Sequence, residues 1–174
     1  MKPEILALID EAFDKKSWHG PNLRGSIRGI NAQQAAWRVA PDRHNIWELT
    51  LHAAYWKYVV RRRITGEKRG TFALPGSNFF RRPVETSEAA WKADVEILVS
   101  EHRHLREALL HLSAVRWRDP KTLHLIRGIA AHDLYHAGQI RLLRRLSRAD
   151  RGLLPSADAT KSDGLSHSHP SNAG

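Results

Sequence analysis

The sequence predicts an all-α fold, a four-helix bundle with a long crossover between its second and third main helices. Three observations predict it. Apolar residues recur at steps of three and four through four separate stretches. Each of the last three stretches opens on a helix-start signal, a capping Asn, Ser/Thr or Asp just ahead of the periodic run. Residues 64–86, between the second and third stretches, carry Thr-Gly, Pro-Gly and Arg-Pro breaks and no period. With 174 residues and 41% hydrophobic content the chain suits one domain, expected at 1–149, with a tail at 150–174.

The first helix is expected over Met1 to Lys16, where Ile5, Leu8, Ile9, Ala12 and Phe13 keep helical spacing. Gly20-Pro21-Asn22 interrupts it with turn chemistry. Leu23 to Ile30 can resume a helix, Asn31-Ala32-Gln33-Gln34 reads as a new N-terminus, and Ala40-Pro41-Asp42 closes that short element. The second main helix starts at Asn45, with Asn45 and Glu48 spaced as a capping box. His52, Tyr55, Trp56, Val59 and Val60 form its stripe, which ends near Arg63.

Residues 64–86 are long for a structureless connection, and such lengths are often functional. The segment can cross a bundle, so helices two and three can run parallel. The third main helix begins near Thr86-Ser87, with Glu88 at the positive end of the dipole. Its seam reads Trp91, Val95, Leu98, His102, Leu105, Leu109, Leu112. Asp119 as N-cap and Pro120 at the first position open the fourth, which runs to about Arg148. Residues 150–174, rich in Ser, Ala, Gly, Asp and Pro, read as a flexible tail.

The candidate chemistry lies in the fourth helix. His132 and His136 are one turn apart on one face, where both can hold the same ion. The stripe Leu125, Ile129, His132, His136, Ile140, Leu143 places both imidazoles inward. Two core histidines satisfied by hydrogen bonds would give the same spacing, so HxxxH alone leaves both readings open. His52 on the buried stripe of helix two weighs toward a shared site. His102 is a fourth inward histidine, expected in the core or beside the site.

The chain has no cysteine, which excludes disulfides, thiolate nucleophiles and Cys-ligated metal and fits a reducing cytoplasm. No apolar run is long enough to span a bilayer, and no signal-peptide core precedes the first helix. The formal charge of the chain is +10, all of it carried by the body since residues 150–174 have one more acid than base, and it could favour nucleic acid or an acidic small molecule. The arginines are dispersed and no recognised nucleic-acid motif accompanies them, so solvated helix faces account for most of them.

Asn45-Ile46-Trp47-Glu48-Leu49 followed by His52-Ala53-Ala54-Tyr55-Trp56, together with His132-Asp133-Leu134-Tyr135-His136-Ala137-Gly138-Gln139-Ile140, resembles the DinB-like family of metalloenzymes. Trp18-His19-Gly20-Pro21 and Gly76-Ser77-Asn78-Phe79-Phe80 agree with it, and the resemblance covers about residues 1–148. It implies an up-down-down-up four-helix bundle, usually a homodimer, with a divalent metal on His52, His132 and His136. The family takes its name from a damage-inducible gene and is distinct from the DNA polymerase that shares it. Its activities are mostly unassigned, and include thiol-dependent transferases, isomerases and hydrolases.

Three neutral imidazoles leave a coordination position open, as catalytic sites do. Nickel, zinc or iron suits such a set. The ion can activate water, polarise a carbonyl or hold a thiolate, and the thiol would have to be a low-molecular-weight cosubstrate. Around the ligands, Glu48 could take a proton, although its capping role also explains it. Asp133 stands where HExxH proteases carry their general base, and Gln139 could orient His136 or a substrate. The expectation is therefore a metal-dependent hydrolase or thiol transferase acting on a small molecule. A non-catalytic or stress-related metal-binding protein, and a basic nucleic-acid-binding module, are the alternatives. The expected pocket has Trp56 or Tyr55 in its wall, the 64–86 loop over its mouth, and Arg81 and Arg82 favouring anions. Its alternative is an ion fully wrapped by protein, with His102 or Glu48 as fourth ligand.

Overall fold

The computed structural model describes residues 2–68, 70, 72–150 and 152. Among them are six α-helices, one short 3-10 turn at Arg116–Arg118 and no strand, as the periodicity predicts. In chain order they are α1 (Lys2–Phe13), α2 (Leu23–Ile27), α3 (Ala32–Ala36), α4 (Ile46–Thr65), α5 (Glu88–His111) and α6 (Pro120–Asp150). Residues 153–174, most of the expected tail, lie outside the described residues.

The starts follow the local chemistry. Asn22 caps α2 by accepting the Gly25 N–H at 2.8 Å, and Asn31 with Gln34 forms a full capping box on α3. Ser87 caps α5, and Asp119 accepts the Thr122 N–H at the start of α6. At α4 only half of the expected box forms. Asn45 accepts the Glu48 N–H at 2.8 Å, but the Glu48 carboxylate turns to Arg38, His44 and the Arg82 N–H. Charged donors hold a carboxylate more strongly than one neutral N–H does. The helix ends where Gly66, at φ 77°, supplies the left-handed cap.

α4 is the central helix, packed on α5, α6 and α3. It is buried nearly all round from Ile46 to Ala54, the pattern of a helix with neighbours on every side. Near its start the Trp47 indole donates to Asp94 of α5 at 2.7 Å, and near its end Arg61 approaches Glu101 of α5 at 3.9 Å. At the far end of α5, the Leu110 carbonyl accepts from Lys2 at the start of α1, and Arg106 forks onto Asp10 at 2.7 and 2.9 Å. Ile140 of α6 packs in the cluster that holds Trp47, whereas Ile126 and Ile129 pack with Val60 and Ile64.

Two seams differ from expectation. On α5 the buried set includes Asp94 where the periodicity placed Val95, because Trp47 and Arg82 both donate to Asp94. On α6 the face turned to the core runs Ile126, Ile129, Ala130, Asp133, Ala137 and Ile140. Of the predicted stripe, Ile129, His136 and Ile140 are buried, whereas Leu125, His132 and Leu143 lie along the edge of that face and are only half-buried. The carboxylate of Asp133 is at the centre because the ammonium of Lys57, equally buried, pairs with it.

Candidate metal centre

Three imidazoles meet in the groove between α4 and α6. The Nε2 of His132 lies 3.1 Å from Nε2 of His52 and 3.0 Å from Nε2 of His136. These three residues form a group able to hold a metal ion. The HxxxH turn of α6 supplies two of them, and the burial of α4 aims the third across the groove. Burial holds all three rings neutral. It pushes His52 down to about 4 and His132 down to about 3, with neighbouring imidazoles adding to the effect, and it lowers His136 as well.

Two of the rings have a fixed tautomer. His52 Nδ1 lies 3.0 Å from the Asn78 carbonyl oxygen, which can only accept, so Nδ1 carries the proton and Nε2 a lone pair. Gln139 donates through Nε2 to the Tyr135 hydroxyl at 3.1 Å, which turns its Oε1 to accept from His136 Nδ1 at 2.7 Å. Nε2 of His136 is then a lone pair too. His132 has one proton to give and two lone pairs facing its Nε2, and its own buried Nδ1 has no hydrogen-bond partner among the described residues. Three neutral imidazoles cannot satisfy this arrangement, since a single Nε2 proton on His132 cannot serve both facing lone pairs. A cation at the point of convergence satisfies all three, so the residues fit a divalent ion.

Of the other expected site residues, Glu48 and Asp133 have partners away from these three imidazoles. Gln139 holds His136, as described. Glu48 is bound by Arg38 Nη1 at 2.9 Å and His44 Nδ1 at 3.0 Å. Burial raises its carboxyl, but Arg38, His44 and the Arg82 N–H outweigh that and bring it to about 2. Asp133 turns away from the imidazoles to Lys57. His102 stacks on Phe13 with centroids 3.7 Å apart. Neither His102 nor Glu48 joins the imidazole group.

A cavity of about 520 Å³ opens on the histidines, lined by Leu49, Phe79, Tyr135, Leu142 and Leu143, with Arg43 and His44 toward its rim. Its aromatic wall is Phe79 and Tyr135, in place of the expected Trp56 or Tyr55. Tyr55 packs into an aromatic cluster with Tyr58, Phe72 and Phe80. Trp56 lines a second cavity of about 150 Å³ that also reaches His132. The 64–86 loop reaches the site as expected: Phe79 stacks on His52 at 3.9 Å, and Asn78 accepts from the Trp56 indole at 3.0 Å. Of the two arginines, Arg82 is held by Asp94 at 2.8 Å, whereas Arg81 lines a neighbouring cavity with Arg43.

Sequence reasoning assigned no role to His44, nor to Asn78 and Phe79, which it named only within the 76–80 segment of the family resemblance. Asn78 acts through its main-chain carbonyl, which leaves no side-chain signature. Phe79 and His44 belong to irregular segments where periodicity gives no direction.

No helix of the described residues is long and apolar enough to cross a membrane. No curated protein matches the chain, and no solved structure does. A family model described as the DinB superfamily matches residues 17–140, which include all three histidines, Asn78, Glu48 and Gln139. The chain belongs to the DinB superfamily.

Proposed function

We propose that this protein is a metal-dependent enzyme acting on a small molecule at His52, His132 and His136. One observation carries the reading. Three acceptor nitrogens converge at the floor of a cavity of about 520 Å³, and no fourth protein ligand stands beside them among the described residues. When bound, the ion supplies a Lewis acid that can activate water or hold a thiolate, the chemistry of a hydrolase or thiol transferase. The chain does the rest. Asn78 and Gln139 fix two imidazoles in the ligating tautomer, and Leu49, Phe79 and Leu143 give the cavity apolar walls. The cosubstrate thiol, if the reaction uses one, comes from outside a chain without cysteine.

The same reading takes the four long helices as up-down-down-up. It is supported by Trp47 meeting Asp94 at the starts of α4 and α5, and by Lys2 meeting Leu110 at opposite ends of α1 and α5. It also takes the protein as a homodimer, on the family resemblance, and as cytoplasmic, on a chain without cysteine.

Cobalt substitution tests the open position. In the cobalt-loaded protein, azide or a small thiol should change the visible ligand-field spectrum saturably. A spectrum indifferent to both would mean that no position is exchangeable, and the enzyme reading would give way to a structural ion.

A further inference from the structure

We propose that the cavity over the histidines takes an oxyanion carried on a short apolar body, a carboxylate or phosphate monoester on an aryl-alkyl group. The reading of the metal centre enters only in saying what the far end of that molecule meets. Two adjoining cavities carry the inference. The inner one, about 520 Å³, has the apolar walls Leu49, Phe79, Leu142 and Leu143. Val39, Tyr135 and Leu142 border it and are 51%, 63% and 58% exposed. Apolar surface left in water beside a cleft is covered favourably by an apolar ligand.

The outer cavity, about 310 Å³, shares Arg43, His44 and Phe79 with the inner one and adds Arg38 and Arg81. Its acids are Asp42 and Glu48. Glu48 is already bound by Arg38 and His44. Among the described residues Arg43 has an ion pair only with Asp42, at 3.6 Å and with both side chains about 70% exposed, a geometry worth little. The Arg81 side chain has no hydrogen bond or ion pair among the described residues. Two guanidinium groups are therefore available in the outer cavity, Arg43 at its junction with the inner one and Arg81 beyond it, in a chain of formal charge +10. Guanidinium forks match carboxylate and phosphate oxygens in pairs.

The stack of rings sets the length of the body. His44 lies on Phe79 at 3.7 Å and Phe79 on His52 at 3.9 Å, so the mouth is two ring spacings from the histidines. A headgroup held at Arg43 leaves that span, and the inner cavity of about 520 Å³ behind it, for a short chain ending in one ring.

Calorimetric titration of the full chain with 4-phenylbutyrate, 4-phenylbutyl phosphate, 4-phenylbutanol and 4-phenylbutylamine tests this. At least one of the two anions is expected to bind ten times more tightly than the alcohol or more, with the amine weakest, and which anion leads identifies the headgroup. The double variant Arg43→Gln/Arg81→Gln should lose that preference while its metal content is unchanged. Equal binding of anion and alcohol overturns the proposal. A preference that survives in the double variant but disappears in His132→Ala also overturns it, since the ion would then hold the headgroup. A preference that depends on the arginines in a chain found to bind no metal supports this proposal and removes the metal reading.

Discussion

The main-chain carbonyl of Asn78 lies 3.0 Å from Nδ1 of His52, and Asn78 is the one described non-glycine residue with a left-handed backbone, at φ 65°. The two facts are connected. The left-handed turn presents the carbonyl to the imidazole, and that bond leaves Nε2 free to ligate. Asn78→Gly tolerates the backbone and keeps the carbonyl, whereas Asn78→Val is strained there. Metal affinity should fall by about 10–100-fold in Asn78→Val and stay within a few-fold of the parent in Asn78→Gly, by competition with a chromophoric chelator. Equal losses in both variants would show that the side chain, through Trp56, is what matters.

Gln139 gives the parallel case on α6. Gln139→Leu removes the acceptor at His136 Nδ1, and Gln139→Glu keeps one. The same competition assay should show a drop of about 10–100-fold for the leucine variant and little or none for the glutamate variant. A leucine variant with parental affinity would mean that the tautomer of His136 is set by something else.

Lys57 and Asp133 form an ion pair with both side chains nearly inaccessible to solvent. Breaking one member leaves an uncompensated buried charge, so Lys57→Met should cost about 3–5 kcal/mol in urea unfolding. The double variant Lys57→Met/Asp133→Leu should recover most of that loss. If the double variant is as unstable as the single one, the pair contributes packing and not charge balance.

His102 sets part of the acid response. Burial, with Lys57 and Arg106 adding to it, pushes its folded pKa from 6.5 down to about 2. Between those values the unfolded ring is protonated and the folded one is not, so the unfolded state binds more protons. The stability of the neutral ring is therefore complete above pH 6.5 and is lost as pH falls toward 2, at about 1.4 kcal/mol per pH unit. His102→Phe should make the fall shallower by about one proton in metal-free protein, measured by urea unfolding from pH 7 to pH 4.5. An unchanged slope would mean that His102 titrates normally in the fold.

The helix starts were legible because Asn31, Asn45, Ser87 and Asp119 signal locally, through one side chain and one N–H. The histidine pair was legible through its spacing, and His52 through its company. Glu48 and Asp133 were less so. Each is engaged by a cation that periodicity could not place: Arg38 lies on an irregular segment, and Lys57 reads as a solvated lysine until the bundle closes over it. The walls of the cavity were misassigned for the same kind of reason. Tyr55 and Trp56 are adjacent to His52 in helical terms, but Phe72 and Phe80 of the loop draw Tyr55 to another face, and Phe79 takes the place beside His52.

The central claim is that His52, His132 and His136 hold one ion. It is tested most directly by elemental analysis of protein purified without a histidine tag, with His167 and His169 of the tail replaced by alanine. About one divalent ion per chain is expected, with the metal lost in His132→Ala and in His136→Ala while far-UV circular dichroism still reports the helices. Parental metal content in either variant, or a parent chain that takes up no divalent ion when offered nickel, zinc or iron, would contradict the account.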